Sequence, residues 1–195
     1  MTGGYLMNDK RLGRYITYLL RHCPESIGLH LDSYGYANVD ELIDKVNKTK
    51  SYHNFLNAEI LKRIVETDNK QRFSYDKTGA KIRAVQGHSF HVDVAKENVP
   101  PDILYHGTSQ NAYSIIKTEG IKKMSRDYVH LSKDIETATL VGLRHAKTKN
   151  NLALLVVDAK QMAKDGLKLY VAENGVWLTD YVPPKYITIK ENGYD

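Results

Sequence analysis

The side chains in this sequence best equipped for chemistry are mostly cationic and widely scattered. Arg21 and His22 close the apolar part of LLRHCPESIG, Arg72 lies in KQRF and Arg126 in MSRDYVHLS. Two histidines occupy strand-like settings, His106 in LYHGT and His130 in YVHLS. Arginine offers a planar fork of donors that matches carboxylate or phosphate oxygens, and histidine titrates closest to neutral pH. Singly, each has an ordinary reading as well. Arg21 and His22 would favour a helix C-terminus by roughly 0.3–1 kcal/mol. Arg72 would be a strand-edge arginine, Arg126 a solvated loop charge, and His106 and His130 half-buried strand residues. His145, on a helix surface, reads as idle.

The wider composition narrows the possibilities. A formal charge of +5 and a pI near 9.1 allow a polyanionic partner without demanding one. Neither half carries a basic tail, so any polyanion is gripped by a few placed cations. Cys23 is the sole cysteine, which excludes a disulfide framework and a CxxC metal site; no metal is expected. The chain has no GxGxxG after a strand, no GxxxxGK[ST], no HExxH and no GxSxG, so neither a Rossmann turn nor a P-loop holds a nucleotide here. With 42% apolar and 26% charged residues and no apolar run near the roughly 18 residues of a membrane span, a soluble globular protein is expected. The start, MTGGYLMNDKRLGR, lacks the apolar centre of a secretion signal. The cytoplasm is the expected compartment.

The elements that must position these residues follow from periodicity. Leu12, Tyr15, Ile16, Leu19 and Leu20 recur as one helix face, and Pro24 disfavours helical geometry at Cys23, so the helix ends there. Arg21 then lies opposite the apolar stripe and His22 at its margin, both pointing away from the core. DSYGYANVDELIDKV reads as an extended piece, a glycine turn and a helix capped by Asn38 with Glu41 three places on. NAEILKRIVETD predicts a third helix with Ile60, Leu61, Ile64 and Val65 inward. RFSYDKTGAKIRAVQGHSF predicts a hairpin around DKTG. Three helices and a hairpin suggest a winged helix, a shape used for nucleic acid and for protein contacts alike. The prolines of KENVPPDILYHG mark a joint near residue 98.

Beyond the joint, ILYHGTS predicts a strand and NAYSIIKTEG a helix stopped by Gly120. IKKMSRDYVHLS reads as extended, DIETATLVGLRHA as helical and NLALLVVD as a buried strand, with LKLYVAENGVWLT and YVPPKYITIK strand-rich. Helices and strands without regular βαβ alternation argue for α+β.

Taken as an ordered set, LLRH (19–22), KQRF (70–73), IRAVQGHS (82–89), YHGT (105–108), MSRDYVHLS (124–132) and NGVWL (174–178) resemble the RNA 2'-phosphotransferase family (KptA). The resemblance covers nearly the whole chain. It implies a winged-helix N-terminal lobe (1–98) that binds an RNA 2'-phosphate and a C-terminal lobe of the ADP-ribosyltransferase fold (99–195) that binds NAD, with the active site in the cleft between them. The implied activity removes an internal RNA 2'-phosphate, as at a tRNA splice junction, by transfer to NAD. It passes through a 2'-phospho-ADP-ribosylated RNA and yields nicotinamide, 2'-hydroxyl RNA and ADP-ribose 1'',2''-cyclic phosphate. NAD is consumed as a co-substrate, and a monomer is expected.

The same resemblance assigns residues. Arg21, His22, Arg72 and Arg126 match the family's essential set; His106, Gly107, Thr108, His130, Ser132 and Val176 match its dinucleotide site; Lys70, Gln86, His88 and Ser89 are expected at the RNA. Val176 stands where protein-modifying ADP-ribosyltransferases often carry a glutamate. That fits a nucleophile that arrives already ionised, because a phosphate monoester carries about −1.5 to −2 charges at neutral pH. Nicotinamide departs neutral, so the first step asks for capture and aim, not for an acid or a base. His22 is the candidate for moving a proton in the second step. Other readings are an ADP-ribosyltransferase that caps terminal nucleic-acid phosphates or modifies protein, and a winged-helix nucleic-acid-binding regulator. The regulator leaves His106, His130 and the second lobe unexplained.

Overall fold

A computed structural model describes residues 3–93 and 96–190, and the chain forms two compact units, 1–94 and 95–195. In the first unit, α1 (Gly3–His22) is held by the face its periodicity predicts. Leu12, Ile16, Leu19 and Leu20 are fully buried and Tyr15 partly so. Each such aliphatic side chain is worth roughly 1.5–3 kcal/mol of transfer free energy, so packing, more than propensity, keeps this helix. It stops at His22. Pro24 opens a single 3₁₀ turn, Pro24–Ile27, and Gly28 takes the left-handed φ of 65° that reverses the chain.

Next come β1 (Tyr36–Asn38), α2 (Val39–Asn47) and α3 (Ala58–Glu66). Both helices begin on an asparagine cap. Asn38 accepts from the Glu41 amide at 3.0 Å and Asn57 from the Ile60 amide at 2.9 Å, which satisfies one orphan donor at each end. The Glu41 carboxylate does not close a reciprocal capping box; it accepts from His30 Nδ1 at 2.8 Å. Leu61 and Ile64 are buried as expected, with Ile60 and Val65 half-buried beside them. Asp9 accepts from the Arg63 fork at 2.6 and 3.2 Å and ties α1 to α3.

The predicted hairpin is β2 (Phe73–Tyr75) and β3 (Lys81–Ala84), antiparallel with Phe73 opposite Ala84. Its turn closes where Gly79 adopts a φ of 76° and the Asp76 carboxylate accepts from the Lys81 amide. β1 adds to the far side of β3, giving the order β1-β3-β2.

The second unit starts before the prolines. β4 (Lys96–Glu97) pairs with β9 (Tyr170–Val171) in a four-stranded sheet of order β4-β9-β10-β7, where β7 is Val129–Leu131 and β10 is Trp177–Thr179. β5 (Ile103–Ser109), β8 (Leu152–Asp158) and β12 (Ile187–Ile189) form a second sheet with β8 central. β6 (Ile121–Lys122) and β11 (Tyr181–Val182) make a small ladder of their own. Around them lie α4 (Gln110–Glu119), α5 (Ile135–Ala146) and α6 (Ala159–Lys164). Every ladder among the described residues is antiparallel, and the protein is α+β.

Two expectations in this unit need correction. The stretch 121–132 is not continuously extended: Met124 has a φ of 53° and the chain turns through 124–128, so Arg126 sits on a bend between β6 and β7. The helix α6 was not foreseen; Asp158 caps it by accepting from the Gln161 amide at 2.9 Å.

Candidate active site

In the first unit one loop organises the predicted residues. β3 runs on into Val85, whose amide donates to the Arg72 carbonyl at 3.0 Å, so Arg72 lies beside the start of the loop 85–89. The other end of that loop docks on the last turn of α1, where the Ser89 amide and hydroxyl donate to the Arg21 carbonyl at 3.0 and 3.3 Å. A carbonyl left orphaned by the helix end is thereby satisfied. Between these two anchors, Gly87 has a φ of 87°, and a Cβ there would stand 3.3 Å from the Arg21 guanidinium carbon. Arg21 does point away from the α1 core, yet not into open solvent: its Nε and Nη2 are buried beneath this loop. His22 is exposed, its ring 5.7 Å from that of Tyr18.

His88 turns inward. It is 1% exposed, with Nε2 buried next to Gly35 and the ring 5.6 Å from Phe90. Burial, with Arg21, His22 and Arg83 adding repulsion, pushes its pKa down from 6.5 to about 4. His88 is therefore neutral at physiological pH and buried. Lys70 and Ser89 are exposed and Gln86 half-buried.

Arg72 has a partner that the sequence reading missed. The Asp68 carboxylate accepts from Nη2 at 2.7 Å and from Nε at 3.1 Å, and it also accepts from the Arg72 amide at 2.7 Å. Asp68 is only 4% exposed and Arg72 25%. Burial alone would raise the carboxyl's pKa, but the Arg72 fork and the amides of Arg72 and Lys70 hold it below the ordinary value. A four-residue separation outside a helix gives no periodic cue, so only the tight turn at Gln71, with its φ of 46°, brings the pair together.

The second unit gathers a separate set. His106 on β5 and His130 on β7 meet directly: His106 Nδ1 donates to the His130 carbonyl at 3.1 Å. His130 Nδ1 in turn donates to the Tyr128 carbonyl at 3.0 Å. Because a carbonyl only accepts, both rings carry hydrogen on Nδ1, which makes Nε2 the acceptor nitrogen in the neutral form. Burial lowers the His106 pKa, as do the charges of His145 and Arg126 more weakly, against the hydrogen bond to His130, which raises it. His106 is accordingly neutral, and Arg126 belongs to its electrostatic surroundings. Arg126 is exposed, but neighbouring protein and the repulsion of Arg144 lower its pKa as well; an arginine nevertheless stays charged.

The bridge between Tyr105 and Ser132, with two amide–carbonyl bonds of 2.8 Å, sets β5 beside β7. β10 pairs Leu178 with His130 and Trp177 with Leu131, with Val176 immediately before the ladder. Thr108 is buried in β5. Gly107 has a structural role: a Cβ there would collide with the Ala138 carbonyl oxygen and reach 2.8 Å from the Gly142 nitrogen, so only glycine lets α5 lie this close to β5. Among the described residues no group of three or more histidine, cysteine, aspartate or glutamate side chains is arranged to hold a metal, and no helix is long and apolar enough to cross a membrane.

Comparison with known proteins agrees across both units. A model of the RNA 2'-phosphotransferase, Tpt1 / KptA family matches residues 7–181. A protein of Fusobacterium nucleatum named probable RNA 2'-phosphotransferase is 52% identical over 92% of this chain and 98% of its own. Relatives of the same name from Flavobacterium johnsoniae and Nostoc punctiforme are 48% and 45% identical, each over 93% of this chain and over 96% and 98% of their own. Since the match runs from α1 through the Arg72 turn and the two-histidine contact to β11, the chain belongs to the RNA 2'-phosphotransferase, Tpt1 / KptA family.

Proposed function

We propose that this protein is an NAD-dependent RNA 2'-phosphotransferase, which moves an internal RNA 2'-phosphate onto NAD and resolves the 2'-phospho-ADP-ribosylated RNA to 2'-hydroxyl RNA and ADP-ribose 1'',2''-cyclic phosphate. The observation that carries the reading is the loop 85–89, which flanks Arg72 at one end and covers Arg21 at the other in a chain of this family. The loop bonds the backbone of Arg72 at one end and lies against the Arg21 guanidinium at the other, and arginine forks suit a phosphate dianion, each charge-assisted bond being worth about 1.5–3 kcal/mol. In this reading the first unit is a winged-helix lobe and the second an ADP-ribosyltransferase-like lobe, and Arg126 is a catalytic residue of the second.

NAD supplies an electrophilic ribose carbon whose departing nicotinamide is neutral. The residues of the second unit fit such a ligand. His106 is held with Nδ1 on the His130 carbonyl, so its Nε2 accepts from a ribose hydroxyl or the carboxamide, with His130 beside it. Val176 leaves the remaining position apolar, consistent with a nucleophile that needs no base. In the second step the ribose 2''-hydroxyl attacks phosphorus and the RNA 2'-oxygen departs; charge grows on the phosphoryl oxygens, and Arg21, Arg72 and Arg126 stabilise it. His22, at the exposed end of α1, moves the proton. The reading is of a cytoplasmic monomer that needs no metal.

The test supplies clean protein with NAD and an RNA bearing one internal 2'-phosphate. Nicotinamide, 2'-hydroxyl RNA and the cyclic phosphate are expected in equal amounts; dephosphorylation without NAD would overturn the reading. His22→Ala should accumulate ADP-ribosylated RNA. A His22→Ala protein that forms none would move His22 from proton transfer to phosphate binding.

A further inference from the structure

We propose that Asp68 is a positioning residue, which grips the Arg72 guanidinium along one edge and so dictates the edge presented to the phosphate; this rests on the function proposed above. A guanidinium has two faces for bidentate contact, one formed by Nε with Nη2 and one by Nη1 with Nη2. Asp68 occupies the first, accepting from Nη2 at 2.7 Å and from Nε at 3.1 Å. Nη1 makes no hydrogen bond among the described residues, so the end-on edge is the one left for a ligand.

Three features make the grip stiff. The same carboxylate accepts from the Arg72 amide at 2.7 Å and the Lys70 amide at 3.4 Å, so backbone and head group are fixed by one residue. The turn between them is tight, with the Gln71 amide donating to the Asp68 carbonyl at 2.8 Å. And Asp68 is buried, which bars water from competing for its oxygens. A negative charge this near a phosphate site opposes ground-state binding. Its retention is intelligible if orientation outweighs attraction, since misplacement by about 1 Å costs on the order of a hundredfold in rate.

That opposition gives the test a sign. Asp68→Asn keeps one oxygen for the backbone amides but sets an NH2 against the Arg72 fork. If Asp68 positions Arg72, kcat for 2'-phosphorylated RNA falls about 30- to 100-fold with KM changed less than threefold. In an Arg72→Lys background, which has no fork to orient, Asp68→Asn costs less than threefold. If Asp68 is only a nearby charge, Asp68→Asn lowers KM and leaves kcat intact, and the proposal is overturned. An equal kcat loss in both backgrounds makes Asp68 merely structural and overturns it too. Should Asp68→Asn fail to show a cooperative thermal transition, Asp68→Glu, which keeps the charge but shifts the carboxylate by one methylene, is read alone: a kcat loss of about tenfold or more is expected, and wild-type kcat overturns the proposal. Failure of the wild-type protein to turn over would sink the proposed function, a result distinct from all of these.

Discussion

Arg72 and Arg126 are the same side chain held in opposite ways. Arg72 is three-quarters covered and clasped by a buried carboxylate, whereas Arg126 rides an exposed bend, makes no ion pair among the described residues and has Arg144 as its electrostatic neighbour. A clasped arginine keeps its aim whether or not a ligand is present, while the carboxylate beside it offsets part of its field. An arginine beside another arginine keeps its charge but has no such clasp to aim it. The first unit therefore holds its arginine in a fixed direction, and the second leaves Arg126 at the surface.

The strongest way to break that contrast is to shorten both residues. Arg72→Ala and Arg126→Ala should each lower kcat/KM for 2'-phosphorylated RNA by about a thousandfold or more, measured by nicotinamide release. Lysine separates them: Arg72→Lys should lose about a hundredfold because it forfeits the fork, and Arg126→Lys about tenfold because charge is most of what it offers. Equal losses would erase the distinction.

The frame behind the second unit's histidines is tested next. Gly107→Ala sets a methyl against the Ala138 carbonyl and should cost about 3 kcal/mol. Trp177 is the sole tryptophan and only 7% exposed, so its emission during urea unfolding reports this unit. A smaller effect belongs to the first unit. His88 titrates near 4 when folded against 6.5 when free; the unfolded chain binds the extra proton, and stability present above pH 6.5 is lost as pH falls towards 4, by at most about 3 kcal/mol. His88→Gln should flatten that part of the pH profile of Tm. The smallest change expected is Asn57→Ala, about 1 kcal/mol from the lost cap of α3, seen as a lower midpoint in far-UV circular dichroism.

Legibility in the sequence followed distance along the chain. The α1 stripe, its stop at Pro24, the Asn38 cap and the DKTG turn each depend on residues within a few positions of one another, and all are where the spacing puts them. The contact between His106 and His130 spans 24 residues and that between Gly107 and α5 spans more than 30; no local pattern encodes either. Gly107 has a packing constraint that YHGT does not reveal, since a Cβ there would meet α5. His88 shows the same from the other side, since nothing in IRAVQGHS says which side chains of the loop fold inward. The bend at 124–128 was hidden because Met124 is an unusual residue at positive φ.

β4 has a practical corollary. Lys96 and Glu97 lie at the rim of the four-stranded sheet, and the Asn98 amide continues the ladder to the Leu169 carbonyl at 3.0 Å. Charged residues in such a place discourage other chains from adding on. A fragment trimmed to begin at the prolines would shed this guard and bare the backbone of Tyr170–Val171, inviting self-association, so a separately expressed C-terminal half should keep everything from Lys96 onward.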